Sequence, residues 1–161
     1  MDVLEAIQVR RSIRLYTGDS IPRVHLEIIV DAGRLAPSGN NQQPWDFIVV
    51  TDRATIQRLK IVAEWIDKAG AVIGLVMDPS SRWWIEDGAA AVENMLLAST
   101  ALGYGACWLE GYTLQREDQL KKLLDVPADR RLLTLIAIGI PAEAPVPWKK
   151  SLAQVIHWEK Y

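Results

Sequence analysis

Three arginines and a serine fall close together in the stretch RRSIR, where Arg10, Arg11 and Arg14 surround Ser12. Guanidinium groups offer forked donors that match the oxygens of a phosphate, and a serine hydroxyl adds a short hydrogen bond. The same set also reads as a solvated basic patch at a helix C-terminus, where positive charge suits the dipole. A second cluster, APSGNNQQPW, places Ser38, Gly39, Asn40, Asn41, Gln42 and Gln43 between Pro37 and Pro44. Nothing in it is a strong acid, base or nucleophile. Uncharged amides and hydroxyls suit a planar, heteroatom-rich ring, with donors for its carbonyls and acceptors for its ring N–H; they also make turns well. In LGYGACWLEG, from Leu102 to Gly111, glycines let the backbone turn tightly and approach a ligand. Lys149 and Lys150 read either as solvated cations or as a second anchor for a phosphate.

Other chemistries lack their residues. LGYGACWLEG does not fit G-x-G-x-x-G and follows a helix rather than a strand, which disfavours a dinucleotide fold. The P-loop and the nucleophile elbow are missing, and Cys107 has no histidine placed to activate it. His25 and His157 are far apart and in no ligand-spaced cluster, so no metal is expected. No carboxylate pair stands out; Glu93 and Asn94 read as satisfying local groups, and Trp83 with Trp84 as packing. A formal charge of −2 argues against a nucleic-acid partner. No apolar run approaches the ~20 residues of a membrane span, and the N-terminus lacks an apolar core of signal-peptide length. With one cysteine and no intrachain disulfide, the cytoplasm is the expected compartment.

Positioning these groups falls to alternating helices and strands. Asp2 with Glu5 resembles a capping box for a helix over 3–10, and Ser20 and Pro22 start a second that runs to Leu35. Phe47 to Val50 and Ala71 to Met77 read as buried strands. Between them Ile56, Leu59, Val62 and Ile66 predict a helix that Asp52 caps and Gly70 stops. A long central helix is expected from Trp83 to Tyr104, then a short strand over Cys107 to Leu109. Thr113 caps a helix to Leu124, and Leu132 to Gly139 form a fourth strand. The 161 residues thus form one α+β domain, three-layered α/β/α around a mixed central sheet. The proline-rich tail and its apolar end, LAQVIHW, need a surface to pack on; a partner subunit is one.

In order along the chain, these segments resemble the FMN-dependent nitroreductase family. RRSIR matches R-[RH]-S-x-[RK], and APSGNNQQPW matches A-P-S-x-x-N-x-Q-P-W. EDGAAAVENMLLASTALGYG matches the family's long helix, and GIPAEAPVPWKKSL matches its tail. The resemblance covers nearly the whole chain and implies a nitroreductase-like homodimer with FMN at the subunit interface. By position, Arg10, Arg11 and Ser12 would hold the phosphate and ribityl chain, assisted by Lys149 or Lys150, and Arg14 would lie near the pyrimidine edge. Pro37, Ser38, Gly39 and Asn41 would come from the partner, while Trp108, Leu109, Glu110 and Gly111 would pass the ring near its reactive nitrogen. The implied reaction is ping-pong: NADH or NADPH reduces the flavin, then a nitroaromatic, quinone or related conjugated acceptor takes the electrons. The flavin carries the chemistry, so no catalytic acid or base is expected from the protein. The region between Trp65 and Asp87 is short for the family. That leaves an open acceptor pocket, or one finished by Trp83 and Trp84. It also admits a non-catalytic flavin-binding module. Reductive dehalogenation or flavin cleavage on the same fold are further alternatives.

Overall fold

Asp2 accepts a hydrogen bond from Glu5 N at 2.9 Å and starts α1 (Val3–Val9). The computed structural model describes residues 1–161. It continues through α2 (Arg23–Arg34), β1 (Trp45–Val50), α3 (Arg53–Arg58), β2 (Ala71–Met77), α4 (Trp84–Ala101), β3 (Gly105–Trp108), α5 (Glu110–Leu114), α6 (Glu117–Leu123) and β4 (Arg131–Gly139). Asp52 caps α3 through Thr55 N at 2.7 Å, as its position before the apolar stripe predicts.

The strands form one sheet in the order β1–β2–β4–β3, and every adjacent pair is antiparallel. The α+β class and the three layers hold. The parallel component of the expected mixed sheet is confined to a single bridge, Ser12 beside Ala106. The reason lies in the order. The crossover through α4 carries the chain from β2 to β3 with both running the same way, but β4 inserts between them and opposes each. Helices alternating with strands therefore did not require parallel neighbours.

Alternation along β2 and β4 sends side chains to two cores. Ile73, Leu75, Met77, Leu133, Ile136 and Ile138 meet Leu26 and Ile29 of α2 and Val92 and Met95 of α4. Val72, Val76, Leu132, Leu135 and Ala137 meet Ile56, Leu59, Val62, Ile66 and Leu120 on the other face. The register shifts opposite Leu75 and Val76, where Leu133 is the extra residue of a bulge.

Two expected elements differ. The stripe Ile56, Leu59, Val62, Ile66 is buried, but only α3 is α-helical; 3₁₀ turns at Leu59–Ile61 and Glu64–Lys68 follow, broken by extended Ala63. Spacing of three between Ile56, Leu59 and Val62 is what a 3₁₀ turn stacks on one side, so the same pattern serves both helices. Thr113 does not cap a helix to Leu124. It is buried within α5, where its hydroxyl donates to Leu109 O (2.6 Å) and accepts from Leu135 N (3.2 Å).

Candidate functional site

RRSIR leaves α1 and joins the far edge of the sheet. Ser12 lies beside Ala106 of β3, and Ile13 N donates to Ala106 O at 3.0 Å. Only glycine fits opposite, because a Cβ on Gly105 would sit 2.7 Å from the Ile13 side chain. The buried Tyr16 hydroxyl lies 2.5 Å from Ile13 O and 3.1 Å from Ala137 O, tying the segment to β4. Burial pushes its phenol far up, reinforced by Cys107 and Glu143, so it stays a neutral donor. From the other side Glu143 Oε1 accepts from the backbone N–H of Arg14 (2.5 Å) and of Leu15 (3.1 Å). Backbone positions are thus fixed on both flanks, and the side chains are left for other work.

Those side chains take three different arrangements. Arg10 forms an ion pair with Glu93 at 3.1 Å. Arg11 Nη1 turns back onto the carbonyls of Gln8 and Arg10, both at 2.7 Å, covering the C-terminus of α1. Arg14 has no ion pair, and it lines a cleft of about 400 Å³ with Val62, Ala63, Glu64, Trp65, Cys107, Trp108, Leu109 and Tyr112. The walls are largely apolar and aromatic, and Arg14 is the one cation among them. Burial pushes the Cys107 thiol up against the opposing pull of Arg14, so it lines the cleft as a neutral group. Glu110 and Gly111 open α5 directly after Leu109. Sequence reasoning missed the wall from Val62 to Trp65, because its residues read as the apolar face and end of a helix; Val62 stays buried, and the break at Ala63 brings Glu64 and Trp65 to the cleft. Trp83 and Trp84 take no part in this cleft.

The polar loop sits elsewhere. Asp87 of α4, a side chain 5% exposed, accepts from Gly39 N through Oδ1 at 2.9 Å, while its Oδ2 has no hydrogen-bond partner in the chain. Gly39 is pressed on the Trp83 ring, where a Cβ would come within 2.1 Å of a ring carbon. Ser38 Oγ accepts from Gln43 N at 2.9 Å, and Ser81 Oγ donates to Gln42 Oε1 at 2.8 Å. These bonds hold Asn40, Asn41 and Gln43 at φ of 51°, 54° and 50°, a left-handed backbone that costs ~1–3 kcal/mol per non-glycine residue. Removing the Asp87 bond should release the loop. Asp87→Ala is expected to speed hydrogen exchange at Gly39 roughly 10- to 100-fold, the equivalent of one charged hydrogen bond of ~1.5–3 kcal/mol. Asp87→Asn keeps an acceptor and should leave exchange near the parent rate. Mass-spectrometric exchange over residues 36–44 reads both; equal rates in all three chains would show that the clamp lies elsewhere.

The arginine segment and the loop occupy opposite corners. Ser12 is level with Ala106, Ile138 and Ala71, whereas the loop enters β1 at Trp45, level with Met77. Four strand spacings of ~4.8 Å and six residues at ~3.3 Å put Ser12 and Trp45 roughly 28 Å apart across the sheet, while α4 holds Arg10 at Glu93 and Gly39 at Asp87, six residues or ~9 Å apart along one helix. Lys149 and Lys150 lie on an exposed tail, with no ion pair to the rest of the chain. A larger cavity, about 750 Å³ between α2 and β1, is a different matter: its charges pair with one another, Arg23 with Glu27 and Arg34 with Asp31. No helix is long and apolar enough to cross a membrane.

An antiparallel sheet between helix layers, with a guanidinium-bearing N-terminal segment on one edge and an amide-rich loop before the other, defines an α+β class that known proteins share. The sequence pattern of the Nitroreductase family matches residues 7–78 and 62–140. A relative from Archaeoglobus fulgidus, provisionally named NADH dehydrogenase/NAD(P)H nitroreductase, is 36% identical over 151 residues, covering 88% of this chain and 87% of its own. A crystal structure under the same provisional name, from Bacteroides thetaiotaomicron, has a TM-score of 0.91 at 30% identity and covers 99% of this chain and 98% of its own. An FMN-dependent nitroreductase from Clostridium difficile R20291 has a TM-score of 0.89 at 25% identity, covering 98% and 99% respectively. The chain belongs to the Nitroreductase family.

Proposed function

We propose that two copies of this chain bind FMN at shared clefts and use NADH or NADPH to reduce nitroaromatics, quinones or related conjugated acceptors. The observation that carries this reading is the cleft itself, aromatic-walled, with one unpaired cation and no acid–base dyad. The residues fit the group. Arg14 supplies a free guanidinium inside the cleft, and Arg10 keeps the outer edge of its own free of ion pairs. When bound, FMN supplies a hydride acceptor and an electron carrier.

The chain's residues do the rest. Arg10 and Ser12 bind the phosphate, with Arg11 and with Lys149 or Lys150 of the tail beside them. Arg14 orients the ring and balances charge at its pyrimidine edge. Trp65, Trp108 and Leu109 exclude water, and Glu110 and Gly111 set the backbone along the ring. Pro37, Ser38, Gly39 and Asn41 of the second copy complete the enclosure with neutral groups that hold no competing proton. Nicotinamide and acceptor use the same open slot in turn, which is ping-pong. Val146, Trp148 and Trp158, exposed at 91%, 76% and 76%, support a tail that packs on the partner, since such apolar surface is rarely left bare. The lone, protonated Cys107 suits the cytoplasm.

Visible absorption tests the proposal. Purified protein mixed with FMN should be yellow, bleach anaerobically with NADH or NADPH, and recolour on addition of a quinone. Failure to bind added FMN would overturn it.

A further inference from the structure

Arg10 is the only arginine of RRSIR whose charge is met by a carboxylate. Glu93 stands on α4, against which α1 packs, and its Oε1 lies 3.1 Å from Arg10 Nε. That contact takes one edge of the guanidinium. Glu93 is the one carboxylate paired with Arg10, and the contact is an ion pair without a hydrogen bond. A guanidinium whose Nε side faces a carboxylate turns its outer nitrogens the other way as a planar fork, the geometry that takes a phosphate through two parallel bonds. Arg11 and Arg14 are not arranged this way, one turned back onto α1 and the other free in the cleft.

We infer that Glu93 is a positioning residue: it holds Arg10 with its outer fork presented to a phosphomonoester, and so makes the chain prefer FMN to unphosphorylated riboflavin. The inference rests on the phosphate's place at RRSIR given above. Two effects of Glu93 oppose each other. Its negative charge repels a phosphate, but its side chain is 44% exposed and water and salt screen that repulsion. The same exposure weakens the Arg10–Glu93 pair, but at 3.1 Å it acts at shorter range than the repulsion; fixing one long side chain beforehand spares a cost of ~0.5–1.5 kcal/mol on binding, or roughly two- to tenfold in affinity. Ordering therefore wins.

The test titrates the full-length chain with FMN and, separately, with riboflavin, following the quenching of flavin fluorescence. Glu93→Ala should weaken FMN binding roughly two- to tenfold and leave riboflavin binding unchanged. Glu93→Gln removes the charge that makes the pair and should weaken FMN binding much as Glu93→Ala does. Equal losses for both ligands in Glu93→Ala would reduce Glu93 to a structural role, and tighter FMN binding would make it a competitor; either overturns the inference. Arg10→Ala, run in parallel, separates the two levels. If it lowers the FMN-to-riboflavin preference while Glu93→Ala does not, only the positioning role fails. If it leaves the preference unchanged, the phosphate has been misplaced and both readings fall.

Discussion

Arg14→Ala should slow reduction by NADH or NADPH about 100-fold while lowering FMN affinity far less, with Arg14→Lys staying within about tenfold of the parent rate. If FMN occupies the cleft as proposed, Arg14 would face the negative charge that reduction supplies, and a fixed cation helps most where charge develops during the reaction. Arg14 is the sole cation of an open cleft lined by Glu64, Trp65, Trp108, Leu109 and Tyr112, and a ring bound over it would cover the charge from water. A pair of unit charges ~4 Å apart at an effective dielectric constant of ~20 interacts by ~4 kcal/mol. A 100-fold rate change needs ~2.7 kcal/mol, within that figure. The substitution should not move the backbone, because Glu143 holds the N–H groups of residues 14 and 15 whatever the side chain. Stopped-flow reduction under anaerobic conditions gives the rate, and flavin titration gives the affinity. A lost affinity with an unchanged rate would make Arg14 a binding group only.

Much of the scaffold was legible because its signals are local. β2 is observed over Ala71–Met77, the apolar run that reads as a strand, and α4 spans Trp84–Ala101 within its expected bounds. Asp2 and Asp52 act as the caps their positions suggest. What was not legible depends on contacts between distant segments. Glu93 reads as satisfying local groups on the long helix, and only the packing of α1 on α4 brings it to Arg10. Asp87 reads as part of a helix's acidic first turn, yet it is the buried clamp of a loop 48 residues away. The turn at Ala63 is invisible for a different reason: a spacing of three fits a 3₁₀ turn and an α-helix alike. The resemblance in motif order implies that the loop serves the partner's cleft, but it does not give the contacts, Glu93 with Arg10 and Asp87 with Gly39, that position the two segments.

The separation of the two segments along the strand order makes a sharp prediction about paired defects. One chain carries Arg10→Ala with Ser12→Ala, which removes the phosphate anchor. The other carries Gly39→Val, which drives a side chain into the Trp83 ring and displaces the loop. Each variant alone should bind FMN roughly 10- to 100-fold more weakly, since every cleft contains one damaged half. A heterodimer of the two, purified through two different tags, should behave otherwise. If clefts are shared, one receives both damaged halves and the other receives an intact anchor from one chain and an intact loop from its partner. FMN then binds at parental affinity with half the parental stoichiometry. If each cleft were built within a single chain, both would be damaged and no tight site would return. Stoichiometry by absorbance therefore decides between the arrangements, and the placing of Ser12 beside β3 and of the loop's entry at β1, the two ends of the strand order, is the physical reason to expect the half-occupied result.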